Sequence, residues 1–293
     1  MVPINFLLVI NYKRALFRES TRPYQIKENP TFVPIKNRNL LSNHPPAFPL
    51  GHSIQILESV DSSNNYAMAR AKAGLAGHGT AWLALEQTAG KGQRGRVWTS
   101  RAGENIMLSL VLETSPLPAG ALFALNMAMT LGAYQWMEQY TGEETRIKWP
   151  NDLYWRDRKA GGILIENCWT GTVWQFAIVG MGINVNQVLF DPAAKNPVSI
   201  KQITGRTLDL KSCVAELCAR LEERWQQLLS GDHSGLLEAF NKALYKRGDT
   251  VQLKQGTRLF FTRIKGVNAL GELVTEDTVT ETCFRSGEVE WML

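Results

Sequence analysis

The sequence is poor in the residues that hold disulfide-rich or metal-bound folds together. It has four cysteines in 293 residues, none of them in a C-x-x-C pair, and four histidines that are scattered along the chain. Four cysteines are too few to stabilise a chain of this length by disulfide bonds, which excludes a disulfide framework. We expect reduced thiols in a cytoplasmic protein. The histidines form no H-E-x-x-H or similar pattern, so the sequence predicts no structural zinc site.

Long apolar runs and a strong charge of one sign are also missing. The apolar run at Phe6–Ile10 is too short to span a bilayer, and no basic segment precedes it. The formal net charge is +5, from 32 Lys and Arg against 27 Asp and Glu. This mild excess is compatible with anionic small molecules or nucleic acid and identifies neither. We expect no membrane association.

What is present indicates a globular protein of about two domains. Hydrophobic residues make up 44% of the chain and charged residues 20%, which suffices for a sizeable core. More than half of the 12 prolines lie in the first 50 residues, which lack periodicity. We predict a poorly ordered N-terminal extension (1–50) that is dispensable for activity, a mixed α+β domain (51–246) and a small all-β domain (247–293).

Hydrophobic periodicity supports this α+β class. Thr170-Gly171 indicates a β-hairpin between two long strands. After residue 249 the period changes from that of a helix to that of a strand, which predicts four or five short strands. The other predicted strands cover 53–60, 80–87, 105–113 and 145–149, and the predicted helices cover 65–73, 119–140, 214–228 and 236–245.

A glycine-rich basic loop at Gly90–Gly95 matches G-x-G-x-x-G. A dinucleotide fingerprint must open a helix, and no helix fits before the next strand. The kinase form of the motif needs V-A-I-K, H-R-D and D-F-G further on, and none of these is present. Lys91, Arg94 and Arg96 crowd the loop beside Trp98. This pattern favours a loop that closes over a nucleotide phosphate; a solvated basic turn is the alternative.

Three further motifs place polar residues and glycines at the ends of predicted strands. Lys148-Trp-Pro-Asn-Asp152 combines a cation, an aromatic residue, a turn and a carboxylate. Lys159-Ala-Gly-Gly162 places a cation at the start of a strand, with glycines that allow a ligand to approach the backbone. Gly180-Met-Gly-Ile-Asn184 ends the next strand in the same way. We expect these motifs to meet if the central strands are neighbours.

Together the motifs resemble those of the biotin–protein ligases. The matching segments are, in order, Asp61-Ser-Ser-Asn64, Gln87-Thr-x-Gly90-Lys-Gly92 with Gly95-Arg-x-Trp98, Lys148-Trp-Pro-Asn-Asp152, Lys159-x-Gly-Gly-Ile-Leu-Ile-Glu166 and Gly180-x-Gly-Ile-Asn184. Each segment is weakly specific alone, but five in this order are a strong pattern. The resemblance covers about residues 53–293.

The resemblance implies a reaction and a fold. Family members convert biotin and ATP, with Mg²⁺, into biotinyl-5′-AMP and pyrophosphate. They then transfer biotin to a lysine of a biotin carboxyl carrier protein, as in acetyl-CoA carboxylase. Their fold is a mixed sheet with flanking helices, similar to class II aminoacyl-tRNA synthetases, followed by a C-terminal SH3-like barrel.

It also implies roles for individual residues. Lys159 would bridge the biotin carboxyl and the α-phosphate, Arg94 would act with it, and Asp152 would help to hold Mg²⁺. The implied biotin-binding residues are Ser62, Ser63, Asn64, Gln87, Gly90, Lys91, Gly92, Gln93, Lys159 and Gly162. The implied ATP- and adenylate-binding residues are Lys91, Arg94, Arg96, Trp98, Lys148, Asn151 and Asn184, with Trp98 stacked on adenine.

Two departures from the family pattern matter. Residues 1–50 show no helix-turn-helix pattern, so we expect no specific DNA binding. Gln93 stands where the family usually has a basic residue, so we predict that the adjacent Arg94 retains the adenylate. The alternatives are a lipoate–protein ligase or octanoyltransferase of the same fold, and a biotin-sensing protein without turnover. The sequence leaves a homodimer open.

Overall fold

A mixed sheet of eight strands forms the body of the protein. This computed structural model describes residues 7–9, 48–278 and 280–292; most of the predicted N-terminal extension, and the question of its order, lies outside the described residues. The strands are β1 (Leu7–Val9), β2 (Ser53–Leu57), β3 (Thr80–Ala84), β4 (Ile106–Glu113), β5 (Thr145–Lys148), β6 (Asp152–Trp155), β7 (Arg158–Thr170) and β8 (Val173–Ile183).

The strand order across this sheet is β1-β2-β3-β4-β8-β7-β6-β5. β2 and β3 run parallel, because a helix returns the chain between them, and the other neighbouring pairs of the described sheet are antiparallel. β7 and β8 are joined at Thr170 and Val173, which confirms the predicted hairpin. The three strands with glycine-rich or Lys-Trp-Pro-Asn-Asp motifs, β6, β7 and β8, are neighbours.

Helices cover both faces of the sheet. One face packs against α1 (Ser63–Lys72), and the other against α2 (Leu122–Thr141), α4 (Leu210–Leu229) and α5 (His233–Ala243), with the short α3 (Ile200–Thr204) beside them. Alternation in the strands explains the two layers. In β3, Trp82 joins Ala67 of α1 in one buried cluster, whereas Ala81 and Leu83 belong to the larger cluster on the opposite face.

A second, antiparallel sheet follows in the chain. It consists of β9 (Thr250–Gln255), β10 (Arg258–Val267), β11 (Leu273–Glu276), β12 (Glu281–Phe284) and β13 (Glu290–Trp291), in the order β12-β11-β10-β9-β13. The predicted turns at Gly256, Gly271 and Gly287 have φ of 59°, 83° and 90°, a region that glycine enters without steric cost. We call this sheet and its turns the C-terminal module.

The C-terminal module is hydrogen-bonded to the body. Trp149 Nε1 donates to the Gly271 carbonyl at 3.0 Å. The Asn241 side chain of α5 accepts from Val267 N at 2.7 Å and donates to the Val267 carbonyl at 2.9 Å. Since Trp149 belongs to the Lys148-Trp-Pro-Asn-Asp152 motif, the C-terminal module contacts one of the sequence motifs directly.

The mixed α+β class with a second β unit is confirmed, with shifts at the ends of elements. The sequence pattern missed β6, because Pro150-Asn-Asp152 has the composition of a turn, and it missed α3, which is five residues long. β2 and β3 end earlier than predicted, although Val60 and Gln87 still pair as an isolated bridge. The domain boundaries stay a prediction. None of the described helices combines the length and hydropathy that crossing a bilayer requires.

Candidate active site

Part of the sheet surface that faces α1 carries no side chains, because glycines occupy it; we call it the glycine patch. Gly162 of β7 pairs with Gly182 of β8, and Leu164 pairs with Gly180 in the next row. Side chains on this patch would collide with what lies above it: a Cβ at Gly182 would come within 2.5 Å of the Trp98 ring, and one at Gly180 would overlap the Asn64 amide. The patch is therefore shaped to hold groups close to the backbone.

The N-terminus of α1 forms the polar end of the site. The Gln87 Oε1 atom accepts from both the backbone nitrogen and the hydroxyl of Ser63, at 2.7 and 3.0 Å. Ser62 precedes the helix and is 1% exposed, without a side-chain bond to the first turn. These groups bring hydroxyl and amide donors and acceptors together next to the orphan N–H groups of a helix start.

Asn64 is buried, and both the oxygen and the nitrogen of its side-chain amide are hydrogen-bonded to neighbouring side chains. Its Oδ1 accepts from the Ser109 hydroxyl at 2.6 Å, and Ser109 also lies 2.8 Å from the Ser63 hydroxyl. Its Nδ2 donates to Glu166 Oε2 at 2.8 Å. Asn64 thus connects the helix start to strands β4 and β7.

The basic loop closes over this patch by its own backbone. Gly92 N donates to the Arg96 carbonyl at 2.7 Å and Trp98 N donates to the Gly90 carbonyl at 2.9 Å. A cavity of about 450 Å³ lies under the loop. Its lining includes Gly90, Lys91, Gly92, Arg94, Arg96, Leu164 and Glu166. Gln93 begins a single 3₁₀ turn within the loop.

The Arg94 guanidinium contacts the C-terminal module. Its backbone has φ 58° and ψ 42°, and its guanidinium donates to Ser286 Oγ at 3.2 Å while lying against Gly287. The predicted role of Arg94 in retaining an adenylate stays a prediction. Arg94 thus lines the cavity under the loop and is also hydrogen-bonded to the C-terminal module.

The Trp98 ring lies directly over Gly182, and its buried Nε1 has no hydrogen-bond partner. The sequence placed Trp98 in an adenine site. An indole beside a glycine floor offers a stacking face to a base. The position agrees with that role, which stays a prediction.

A β-bulge brings Lys159 to the same side of the sheet as Gly162. The two residues are three apart and would face opposite sides of an unbroken strand. The register shift between Leu153 and Tyr154 leaves one extra residue on β7, which re-aims the side chain. Lys159 Nζ consequently forms an ion pair with Asp152 Oδ1 at 2.7 Å, and both side chains remain partly exposed.

Lys148 of β5 pairs directly with Asp152 of β6. Its ammonium donates to the Tyr154 hydroxyl at 3.2 Å and lies over the rings of Tyr154 and Trp291, at 4.7 and 5.6 Å. Burial lowers the pKa of Lys148 to about 8; the Asp152 carboxylate works against this shift and Lys159 adds to it. The Lys148 ammonium therefore loses its proton at a much lower pH than an ordinary lysine, near pH 8.

The two predicted nucleotide-binding asparagines support the backbone of the site. Asn151 Nδ2 donates to the Ile163 carbonyl, and Asn184 Nδ2 donates to the Val198 carbonyl at 3.0 Å. Each residue is 4% exposed. They fix the turn before β6 and the end of β8, and their predicted contact with ATP stays a prediction.

The structure thus gathers most of the predicted residues on one face and adds two that sequence reasoning left out. Ser109 and Glu166 contact the same network as Asn64. Ser109 is the single polar residue in the apolar run 106–112 of β4 and is 0% exposed, a signal that could have found it. Glu166 stood in a quoted motif without an assigned role.

Comparisons with known proteins give the family of the chain. The family model "Biotin/lipoate A/B protein ligase family" matches residues 56–184. The biotin–[acetyl-CoA-carboxylase] ligase of Paracoccus denitrificans is 32% identical over 244 residues, covering 80% of this chain and 98% of that protein. The bifunctional ligase/repressor BirA of Escherichia coli is 30% identical over 241 residues, covering 82% and 74%.

A solved structure shows the same fold. The biotin protein ligase from Aquifex aeolicus in complex with biotin and ATP superposes with a TM-score of 0.69 at 25% identity, covering 81% of this chain and 97% of that one. The chain belongs to the biotin–protein ligase family, and it is a ligase.

Proposed function

We propose that the protein activates biotin with ATP and then transfers the biotinyl group to a lysine of a biotin carboxyl carrier protein. The observation that carries this proposal is the Lys159–Asp152 ion pair, which lies beside Gly162 of the glycine patch, next to the row that the Trp98 ring covers. The carboxylate of a biotin bound at the Ser63–Gln87 end and the α-phosphate of an ATP stacked on Trp98 would meet at Lys159. The solved relative binds biotin and ATP.

In the first step a biotin carboxylate oxygen forms a bond to the α-phosphorus of ATP, and the bond from that phosphorus to the pyrophosphate oxygen breaks. Two anions must approach each other, so the site must supply fixed positive charge and alignment. Lys159 supplies that charge, and Asp152 holds its ammonium in place. Lys148 and Arg96 add cations on the same side.

We assign the remaining predicted residues to binding. Ser62, Ser63, Asn64 and Gln87 hold the ureido ring with neutral hydrogen bonds, and the Gly90–Gly92 backbone closes over the ring. Trp98 stacks on adenine. Arg94 retains the adenylate until the carrier protein docks.

Asp152 fits a role as a single carboxylate ligand of Mg²⁺. Mg²⁺ is commonly held by one or two carboxylates together with the phosphates of the substrate. It would neutralise charge on the ATP phosphates. Among the described residues, no cluster of three acidic, His or Cys side chains could hold a metal ion. The ATP phosphates and water would therefore supply most of the Mg²⁺ ligands.

In the second step the amine of the carrier lysine forms an amide with the biotinyl carbon. The bond from that carbon to the AMP oxygen breaks, and the amine loses a proton. The reactive intermediate must be kept from water in the meantime, a need that the closed Gly90–Gly95 loop fits.

The finer description of the fold is part of the same proposal. We infer a class II aminoacyl-tRNA synthetase-like arrangement of the large sheet and an SH3-like barrel for the C-terminal module. The parallel pair β2–β3 within a largely antiparallel sheet and the five-stranded order of the module support it. We further propose that the protein is cytoplasmic and does not bind DNA specifically. The proposal is compatible with a monomer or a homodimer.

The decisive experiment is biotin-dependent release of pyrophosphate from ATP, followed by labelling of a purified carrier domain. We expect release with biotin and none with lipoate or octanoate. Lipoate-dependent release would favour the lipoate branch of the family. Tight biotin binding without release would identify a sensor without turnover.

Replacement of Lys159 tests the assignment within that assay. Loss of one preorganised charge typically costs about 10²–10³ in rate, so Lys159→Ala should lower adenylation by about that factor. Biotin affinity should fall less, because the polar end at Ser63 and Gln87 is unchanged. Lys265→Ala, which removes an exposed ion-paired lysine of the C-terminal module, is the matched control. Near-normal pyrophosphate release from Lys159→Ala would remove Lys159 from the mechanism.

A further inference from the structure

Glu166 places a negative charge in a cavity lined by cations. It lies on β7 opposite Ile178 of β8, two residues beyond Leu164, on the face that carries the glycine patch. Its side chain lines the cavity under the Gly90–Gly95 loop. Because the proposed ligands of this cavity are anions, an unpaired carboxylate here would oppose their binding.

The two oxygens of Glu166 are held from opposite sides. Oε2 accepts from the buried Asn64 amide at 2.8 Å, below the cavity. Oε1 lies 3.4 Å from the Lys91 ammonium, on the loop above. The carboxylate is therefore neutralised by a residue of the loop and oriented by a residue of the body.

The lower attachment is part of a chain of polar side chains. The Ser63 hydroxyl donates to Gln87 Oε1 at 3.0 Å and the Ser109 hydroxyl donates to Asn64 Oδ1 at 2.6 Å, and the two hydroxyl oxygens lie 2.8 Å apart. Side chains in such a network rigidify each other when each is satisfied. Glu166 is the point at which this chain reaches the loop.

We propose that Glu166 is a positioning residue that tethers Lys91, and with it the Gly90–Gly95 loop, to the strand that also carries Lys159. This inference rests on the proposed function and adds a residue to it. The tether keeps the loop closed over a bound adenylate, so its loss accelerates release of biotinyl-AMP. Glu166 acts through Lys91 and does not contact the reacting atoms.

The test is a double-mutant cycle on the dissociation rate of biotinyl-AMP. Glu166→Gln keeps an oxygen for Asn64 and removes the charge, whereas Lys91→Met keeps the length of the lysine stem. Each single variant should raise the dissociation rate about 2–5-fold, the range of a partly exposed ion pair. Lys91→Met should release faster than Glu166→Gln, because it leaves the Glu166 carboxylate unpaired beside the anion. The double variant should match Glu166→Gln, because it loses the same interaction and also lacks that charge. Lys91→Arg keeps the positive charge, so release should stay slow when residue 166 is Glu. In combination with Glu166→Gln, Lys91→Arg should not slow the release.

Glu276→Gln is the matched control, since it breaks the Lys265–Glu276 pair at 3.1 Å with similar exposure, outside the site. It should leave the dissociation rate unchanged. Additive effects of Glu166→Gln and Lys91→Met would overturn the tether. An increase in the biotin Kd for Glu166→Gln that Lys91→Met does not share would overturn it too, by showing direct contact with the ligand.

The outcome is separable from that of the proposed function. If the wild-type protein releases no pyrophosphate with biotin and ATP, the proposed function fails. If it does so and the cycle shows no coupling between Glu166 and Lys91, only the present inference fails.

Discussion

At the scale of single residues, Lys148 combines a cation, two aromatic rings and burial. Its pKa lies near 8, below its ordinary value of 10.5, chiefly because burial disfavours the charged form. Between these two values the unfolded chain binds more protons at this residue than the folded one. The contribution of Lys148 to stability therefore rises as pH increases through that window.

The same shift predicts how nucleotide binding depends on pH. Below pH 8 the ammonium is charged and attracts phosphate; as pH rises through about 8 it loses its proton. We expect kcat/KM for ATP to fall over that range, because this parameter reports the free enzyme. Lys148→Arg keeps a permanent charge over the same rings and should flatten this limb of the profile. An unchanged profile in Lys148→Arg would show that another group titrates.

Gly182 offers a second test at this scale. Any side chain at this position would push on the Trp98 ring, since a Cβ would lie 2.5 Å from it. Base–aromatic stacking contributes about 1–3 kcal/mol per base. Gly182→Ala should therefore weaken ATP binding by about 1 kcal/mol, roughly fivefold, with little effect on biotin binding. Isothermal titration with each ligand measures both.

Gly120→Ala is the control for that substitution, because nothing lies within 4 Å of a Cβ at Gly120. It should leave both affinities unchanged. Equal losses for ATP and biotin in Gly182→Ala would indicate general distortion of β8 and would separate Trp98 from adenine recognition.

At the scale of elements, the Gly90–Gly95 loop carries the prediction about adenylate retention. Gln93 stands where the resemblance to the family implies a basic residue, so we predict that Arg94 retains the adenylate. Because Arg94 has φ 58°, Asn is a suitable replacement: it tolerates left-handed backbone and removes the charge. Arg94→Asn should raise the dissociation rate of biotinyl-AMP, and the released intermediate should biotinylate bystander lysines. Gln93→Asn should change little.

The counter-result is specific. If Gln93→Asn releases the adenylate and Arg94→Asn does not, the Gln93 amide is the group that retains it. Adding Gln93→Arg to Arg94→Asn should restore slow release if the two positions are interchangeable.

Elements also show what the sequence could and could not predict. Motifs such as Lys159-Ala-Gly-Gly162 are visible because glycines and charges interrupt apolar strands. The bulge that turns Lys159 toward Asp152 is not visible, since it depends on the register of β6 against β7. The Asn64–Glu166 contact joins residues 102 positions apart, and no local pattern reports such a pairing. The polar end of the site was predicted by resemblance, whereas its connection through Ser109 needed the fold.

At the scale of the whole molecule, the C-terminal module contacts the site at two cations. Trp291 lies beneath Lys148 at 5.6 Å, and Ser286 accepts from Arg94 at 3.2 Å. The sequence predicted the module as a separate β unit and gave no sign of these contacts. They arise because Trp149, next to Lys148, is hydrogen-bonded to the Gly271 turn of the module.

These contacts predict that loosening the module changes nucleotide binding before it unfolds the protein. Asn241→Ala removes both side-chain bonds to Val267 and leaves two backbone groups unpaired, at a cost of about 1–3 kcal/mol in the free energy of unfolding. At temperatures well below the midpoint of unfolding, KM for ATP should rise while KM for biotin stays constant, because Lys148 loses its contact with Trp291 and Gln87 is untouched. Lys242→Ala, on the exposed side of the same helix, should change neither. Urea unfolding together with steady-state pyrophosphate release measures both effects. A loss of stability with both KM values unchanged would show that the module supports the body without acting on the site.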